Sequence, residues 1–316
     1  MRWNDRIGRR IKLSDLHVLI AVAQTGSMAK AAAQLAVSHP VISRSISDLE
    51  HTLGVRLLER NPRGVEVTAS GRAILARSHA AFDELRQGVR DIEFLSDPTV
   101  GEVRIGTTPP LAASFVFTVI DRLSRHYPGI VFRIVAEGAN QAAQRQNLNE
   151  RVVDLLIFRK ESRIVDDQAS FEFLFKSPYV VAAGSNNPWT KRRKIALAEL
   201  IDEKWTMPAP DDAFGSFVTE AFRAGGLDYP RATVATSALE IRANLLRTGR
   251  YLSIIPEFWL QLPGPHPFIR KLAVDLPVTG APIGIVTLKN RRPSPVAQLF
   301  IDCAREVARP LAKKNS

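Results

Sequence analysis

The stretch from Ser27 to Leu53, SMAKAAAQLAVSHPVISRSISDLEHTL, restricts what this chain can become more than any other part of it. Met28 to Leu35 is alanine-rich and helix-forming, and Gly26-Ser27 ahead of it supplies a break and a capping oxygen. Ala36-Val37-Ser38 makes a turn. Ser38 can cap a second helix, and Pro40 fits its first turn, where the missing N–H costs nothing. Ile42, Ile46, Leu49 and Leu53 then form one buried helical stripe. His39, Ser43, Arg44 and Ser47 fall on other faces and offer short donors plus one long cation, a chemistry suited to base edges and phosphates. The pattern fits a helix-turn-helix with a recognition helix, and also an ordinary helical hairpin.

The flanks weigh on that choice. Leu13, Leu16, Ile20 and Ala23 predict a first helix, capped by Ser14, that completes a three-helix core. Gly54 ends the recognition helix. Val55-Leu58 and Val65-Val67 read as two short strands around the turn cluster Asn61-Pro62-Arg63-Gly64. Such a basic hairpin is a wing, with Arg60 and Arg63 placed to reach phosphates or a minor groove; a solvated basic turn is the alternative for either arginine.

Residues 69–96 read as one long helix and its end. Leu75, Phe82 and Val89 recur every seventh residue, Leu85 and Ile92 fill a second heptad position, and Ser78 interrupts it. A 27-residue helix is about 40 Å long, which suits a dimerisation rod.

From Val103 onward strands and helices alternate, predicting α/β lobes with parallel sheets. Residues 101–161 with 272–311 make the first lobe, and 162–271 the second. Ligands bind at strand ends and lobe interfaces. Thr107, Thr108, Asn140 and Arg159 follow strands of the first lobe; Pro208 and Ser237 follow strands of the second. These six are the candidate cleft residues for a small polar effector, although each Thr or Ser singly also suits a helix cap.

Charge agrees with a polyanionic partner. Residues 1–72 hold 11 Lys/Arg against 6 Asp/Glu, so they carry +5 of the chain's +11. The single cysteine, Cys303, excludes an internal disulfide and reads as a small core residue. His266, in Pro265-His266-Pro267, reads as a surface turn. No P-loop, G-x-S-x-G or G-x-G-x-x-G occurs, and the six histidines are scattered, so neither catalysis, a metal nor a bound cofactor is expected. No apolar run spans a bilayer, and MRWNDRIGRRIKLSDL lacks a signal peptide's apolar core, so a cytoplasmic protein is expected.

Residues 29–75 resemble the LysR-type transcriptional regulators. The pattern matches at Ala31-Ala32, Leu35, Val37-Ser38, Pro40, Ser43, Ile46, Leu49-Glu50, Leu53-Gly54, Leu57, Arg60, Arg63, Thr68 and Gly71. It departs at His39, where glutamine is usual, at Leu58 for phenylalanine and at Ser70 for alanine. The stretches RIGTTPPLAASFV and ATVATSALEIRANLLRTGRYLSIIP, with the C-terminal strand and helix, are similar to a subgroup of sugar-uptake regulators named for a galactose-binding protein. The resemblance implies a winged helix-turn-helix, a linker helix and a periplasmic-binding-protein-like effector domain. It further implies promoter DNA bound by a dimer or a dimer of dimers at an inverted repeat, a small inducer between the lobes, a sugar or sugar acid first, and contact with RNA polymerase. The rival reading is a cytoplasmic solute-binding sensor with no direct role in transcription.

Overall fold

The computed structural model describes residues 10–61, 64–136, 141–160, 168–210, 213–262, 266–276, 280 and 282–314. The chain divides into two compact units, Met1–Val89 and Arg90–Ser316.

In the first unit, α1 (Leu13–Thr25), α2 (Met28–Gln34) and α3 (His39–Leu53) enclose one core. Leu19 and Val22 meet Ala31 and Ala32 and the stripe Ile42, Ile46 and Leu49. α3 is fixed to α1 by the Ser45 hydroxyl, which donates to Asp15 at 2.7 Å. Gly54 takes the left-handed conformation, φ 72°, that stops α3. Two expected caps differ. α1 begins after Lys12, which leaves Ser14 inside the first turn, and Ser38 occupies the cap position of α3 with no side-chain cap bond.

The wing is β1 (Leu58–Asn61) antiparallel to β2 (Gly64–Val67), with Asn61 opposite Gly64. Its first strand starts three residues later than the sequence suggests. The Glu50 carboxylate accepts the amides of Leu57 at 2.7 Å and Leu58 at 3.1 Å, and Val55 and Arg56 stay exposed on the way out of α3. Thr68 closes the wing by donating to the Arg56 carbonyl at 2.8 Å and accepting the Gly71 amide at 3.0 Å. That starts α4 (Ala69–Ser96). Gly71 is required here, since a Cβ would stand 2.2 Å from the Leu57 carbonyl oxygen.

In the second unit, one sheet has the order β4-β3-β5-β12-β6 and the other β11-β7-β10-β8-β9. The first comprises β3 (Val100–Thr107), β4 (Gly129–Ala136), β5 (Leu155–Arg159), β6 (Ala169–Lys176) and β12 (Pro282–Leu288). The second comprises β7 (Tyr179–Gly184), β8 (Trp205–Met207), β9 (Ala232–Ala235), β10 (Leu252–Pro256) and β11 (Ile269–Lys271). The sheets are mixed rather than purely parallel. β4, β3 and β5 run together, as do β10, β8 and β9, while β12 and β7 run against them. The lobe boundary also moves. β6 pairs with β12 along its whole length, so it belongs to the first lobe, and the crossing falls at Ser177-Pro178.

The helices are α5 (Pro109–Leu111), a π turn (Ala112–Val116), α6 (Phe117–Ser124), α7 (Gln141–Asn149), α8 (Ala213–Ala224), α9 (Leu239–Arg247), α10 (Phe258–Gln261) and α11 (Pro295–Lys314). One large core joins faces of both sheets. Phe115, Phe175 and Phe258 stack in sequence at 5.3 and 6.1 Å between ring centroids. Cys303 is buried in it, with its thiol 3.9 Å from the Val119 carbonyl. In the first lobe, the buried Asp154 carboxylate holds Arg104 at 2.7 Å and Arg291 at 2.8 Å. Burial pushes that carboxyl up; the hydrogen bonds and charge of Arg104, with the charge of Arg291, outweigh it and hold the group below its ordinary 3.8. Among the described residues no helix is long and apolar enough to cross a membrane.

Candidate nucleic-acid interface and effector cleft

α3 buries Ile42, Ile46 and Leu49 and therefore turns His39, Pro40, Val41, Arg44, Ser47, Asp48 and His51 outward. The outward row combines a guanidinium for guanine or phosphate, a hydroxyl, and a branched apolar side chain that can meet a thymine methyl. Val41, half exposed, and Asp48 were not among the sequence candidates. The signal for Val41 was its place one residue off the buried stripe, since an apolar residue there has no core to enter. Ser43 is half-buried; with Ser47, Glu50, His51 and Arg56 it borders a groove of about 330 Å³ whose floor is Met28, Ile46 and Leu58. Ser38 precedes this row and is exposed. Arg60 lies in β1 opposite Val65. Arg63 falls outside the described residues.

The stripe of α4 divides in two. Leu75 and Phe82 pack against the core of the winged unit, and Phe82 meets the His17 ring of α1. Leu85, Val89, Ile92 and Leu95 are 51, 57, 65 and 80% exposed, a continuous outward apolar row along the C-terminal half of the helix.

In the second unit, Thr107 and Arg159 end neighbouring strands. The Thr107 hydroxyl is fully buried and donates to the Ile157 carbonyl at 3.0 Å, and its own carbonyl accepts the Gln144 amide at 2.7 Å. Thr107 therefore braces β3 to β5 and orients Gln144. Thr108 stands at the N-cap of α5 with no side-chain cap bond. The Arg159 guanidinium lies over the Tyr179 ring at 4.5 Å and donates to the Ser177 carbonyl at 3.2 Å. Tyr179 in turn stacks on Phe217 of α8 at 4.3 Å. This file of Arg159, Tyr179 and Phe217 runs from the first lobe across the crossing to the second, so the end of β5 faces the N-terminal part of α8. Pro208 is buried, and its carbonyl accepts the Tyr229 hydroxyl at 2.6 Å; Ser237 is exposed beyond β9. Asn140 falls outside the described residues. Sequence reasoning missed Gln144, Tyr179 and Phe217, because their relation to the cleft depends on contacts between distant segments. His266 opens a turn through exposed Pro267 and Phe268, its carbonyl accepting the Ile269 amide at 3.2 Å, as the sequence suggests. Its ring stacks on Trp259 at 3.7 Å, and burial, opposed by Glu240, lowers its pKa from 6.5.

Comparison with known proteins settles the kinship. Residues 13–72 match the bacterial regulatory helix-turn-helix protein, lysR family, and residues 96–309 match the LysR substrate binding domain. The chain belongs to the LysR family. As a LysR-family protein it is a DNA-binding transcriptional regulator with an effector-binding domain. Among its LysR relatives, the HTH-type transcriptional regulator GbpR of Azospirillum brasilense is 25% identical over 303 residues, covering 94% of this chain and 86% of that protein. The HTH-type transcriptional regulator PcaQ of Agrobacterium fabrum is 27% identical over 304 residues, 96% of each chain. Among solved LysR-type folds, a full-length OxyR variant from Pseudomonas aeruginosa aligns with a TM-score of 0.65 at 24% identity, covering 95% of this chain and 97% of that one. Full-length CbnR complexed with its target DNA aligns at 0.53 and 22% identity, covering 94% and 100%. These structural likenesses concern the fold.

Proposed function

We propose that this LysR-family chain reads promoter DNA as an oligomer through the outward row of α3, and answers to a small polar metabolite between its lobes. The observation that carries the DNA reading is the outward placement of Val41, Arg44 and Ser47 on a helix whose opposite face is fully buried. A rigid helix with donors on its free face suits the major groove. The outward row Leu85 to Leu95 supports pairing of two chains along α4. Two half-sites about 34 Å apart need two recognition helices. The protein acts beside its DNA, in the cytoplasm, and RNA polymerase is the partner that regulation requires. A regulator of this build is not an enzyme, and we assign it no cofactor or metal.

The effector reading rests on the Arg159–Tyr179–Phe217 file at the lobe junction, with Thr108 and Ser237 at nearby strand ends. Part of the Arg159 guanidinium serves the crossing, so a neutral hydroxylated metabolite fits as well as its acid. A sugar or sugar acid comes first, supported by the relation to GbpR. Fluorescence anisotropy with the chain's own upstream DNA against random duplex tests the first half. For the second half, a thermal-shift screen of sugars, sugar acids and aromatic acids on the full chain is decisive. A ligand at a hundredfold over its Kd adds about 2.7 kcal/mol. Stabilisation by aromatic acids alone would overturn the sugar assignment.

A further inference from the structure

Winged-domain charge explains under half of the chain's excess of +11, and the run Lys191-Arg192-Arg193-Lys194 lies far from it in sequence. All four side chains are exposed. The fold gathers more cations around them. β8, β9 and β10 end at Met207, Ala235 and Pro256 on the cleft side, so Trp205, Ala232 and Leu252 mark the opposite pole of the second lobe. Four hydrogen bonds knit that pole together. Asn187 donates to the Gly249 carbonyl at 2.8 Å, and the Ser185 amide to Phe268 at 2.7 Å. The Leu252 amide donates to Lys204 at 2.8 Å, and the Trp189 indole to Glu203 at 2.9 Å. The basic run thus starts on the surface that carries Arg247 and Arg250 and continues along the lobe to Ile195, whose amide donates to the Ala273 carbonyl at 3.0 Å.

Its guanidiniums are not loose. Arg192 lies over Trp189 at 5.6 Å, Arg247 over Phe268 at 4.9 Å and Arg250 over Tyr251 at 5.8 Å. A guanidinium laid on a ring face keeps its N–H edge free to meet a planar anion, with less conformational entropy left to lose. Glu199 takes part of Arg192 at 3.2 Å. No carboxylate among the described residues pairs with Lys191, Arg193 or Lys194. Phe268 is the one exposed large apolar residue at this pole among the described residues, and Arg247 covers it. A protein-docking patch would carry an apolar centre; here Lys191, Arg192, Arg193, Lys194, Lys204, Arg247 and Arg250 outnumber Glu199, Asp202 and Glu203, an excess of cations that suits a phosphate backbone.

We propose that this pole of the second lobe grips the phosphate backbone of double-stranded DNA, a contact separate from the recognition helix. The test uses the full chain and a fluorescein-labelled 40-base-pair random duplex, titrated from 50 to 200 mM salt. Each phosphate contact adds about 0.9 to the slope of log affinity against log salt. Lys191→Gln, Arg193→Gln and Lys194→Gln together should flatten the slope by roughly 2–3 with unchanged oligomer size and melting temperature. The charge-keeping set Lys191→Arg, Arg193→Lys and Lys194→Arg should keep the parent slope. So should an equal charge loss in the first lobe, at Lys289, Arg309 and Lys313. A triple glutamine variant with the parent slope overturns the proposal and leaves the surface to an acidic protein partner. Equal flattening by the first-lobe set also overturns it, as a net-charge effect. Absence of random-duplex binding by the parent chain also overturns it, whereas the α3 reading stands or falls separately on the promoter duplex.

Discussion

The Phe82 ring, midway along α4, sits 5.6 Å from the His17 ring of α1, centroid to centroid. The helix therefore uses its apolar stripe for two purposes. Its N-terminal part closes the winged core through Leu75 and Phe82, and Leu85, Val89, Ile92 and Leu95 project into solvent.

Substitutions along that stripe should separate the two purposes. Phe82→Asp should lower the stability of the winged unit by about 3 kcal/mol, because it strips a ring from a packed core and adds a charge there. Ile92→Asp should leave the melting temperature of the isolated chain unchanged and halve the mass seen by light scattering. A stable Phe82→Asp dimer, or an Ile92→Asp variant of unchanged mass, would contradict this division.

Arg44 and Val41 should contribute to specificity in different ways. Arg44→Ala is expected to weaken promoter binding by about 1–3 kcal/mol and random duplex far less. Equal losses on both duplexes would place Arg44 on phosphate. Val41→Ser should reduce discrimination for thymine at one position, read from a panel of single-base operator variants.

Asp154 gives the effector domain an acid sensitivity. Its folded pKa is depressed, so its contribution is fully present above the ordinary 3.8 and is lost as pH falls through the lower folded value. Denaturant melts of the parent chain should therefore lose stability below about pH 4. Asp154→Asn should flatten that loss and cost about 3–5 kcal/mol at neutral pH, since two arginines lose their shared anion. An equally steep acid loss in the variant would assign the effect to other carboxylates.

Tyr179→Ala removes the ring between Arg159 and Phe217. It should cost about 1–3 kcal/mol in thermal melts and alter effector response more than DNA affinity. Tyr179→Phe should restore both, because the stack needs the ring face and not the hydroxyl.

The helices of the winged unit were legible because each carries its own 3.6-residue period. Ile42, Ile46 and Leu49 point inward as their spacing demands. The wing was legible in kind and shifted by three residues, since the amides of Leu57 and Leu58 are taken by Glu50, a choice no local pattern encodes. β6 looks from its own residues like a strand of the second lobe. Only its pairing with β12, far along the chain, places it in the first. Strand-end positions such as Thr107 and Arg159 could be found in sequence, but not that the Thr107 hydroxyl is buried against the Ile157 carbonyl. Tyr179, Phe217 and Gln144 could not, because each reaches the junction through a tertiary contact.

The ring chain Phe115, Phe175 and Phe258 crosses from one lobe to the other inside a single core. Lobes joined in this way cannot swing apart like the halves of a clamshell without exposing that aromatic seam to water. The effector domain should consequently melt in one cooperative transition. An effector seated between the lobes would then have small tilts about Ser177-Pro178 at its disposal, and the stiffness of that seam would set the distance over which its signal travels.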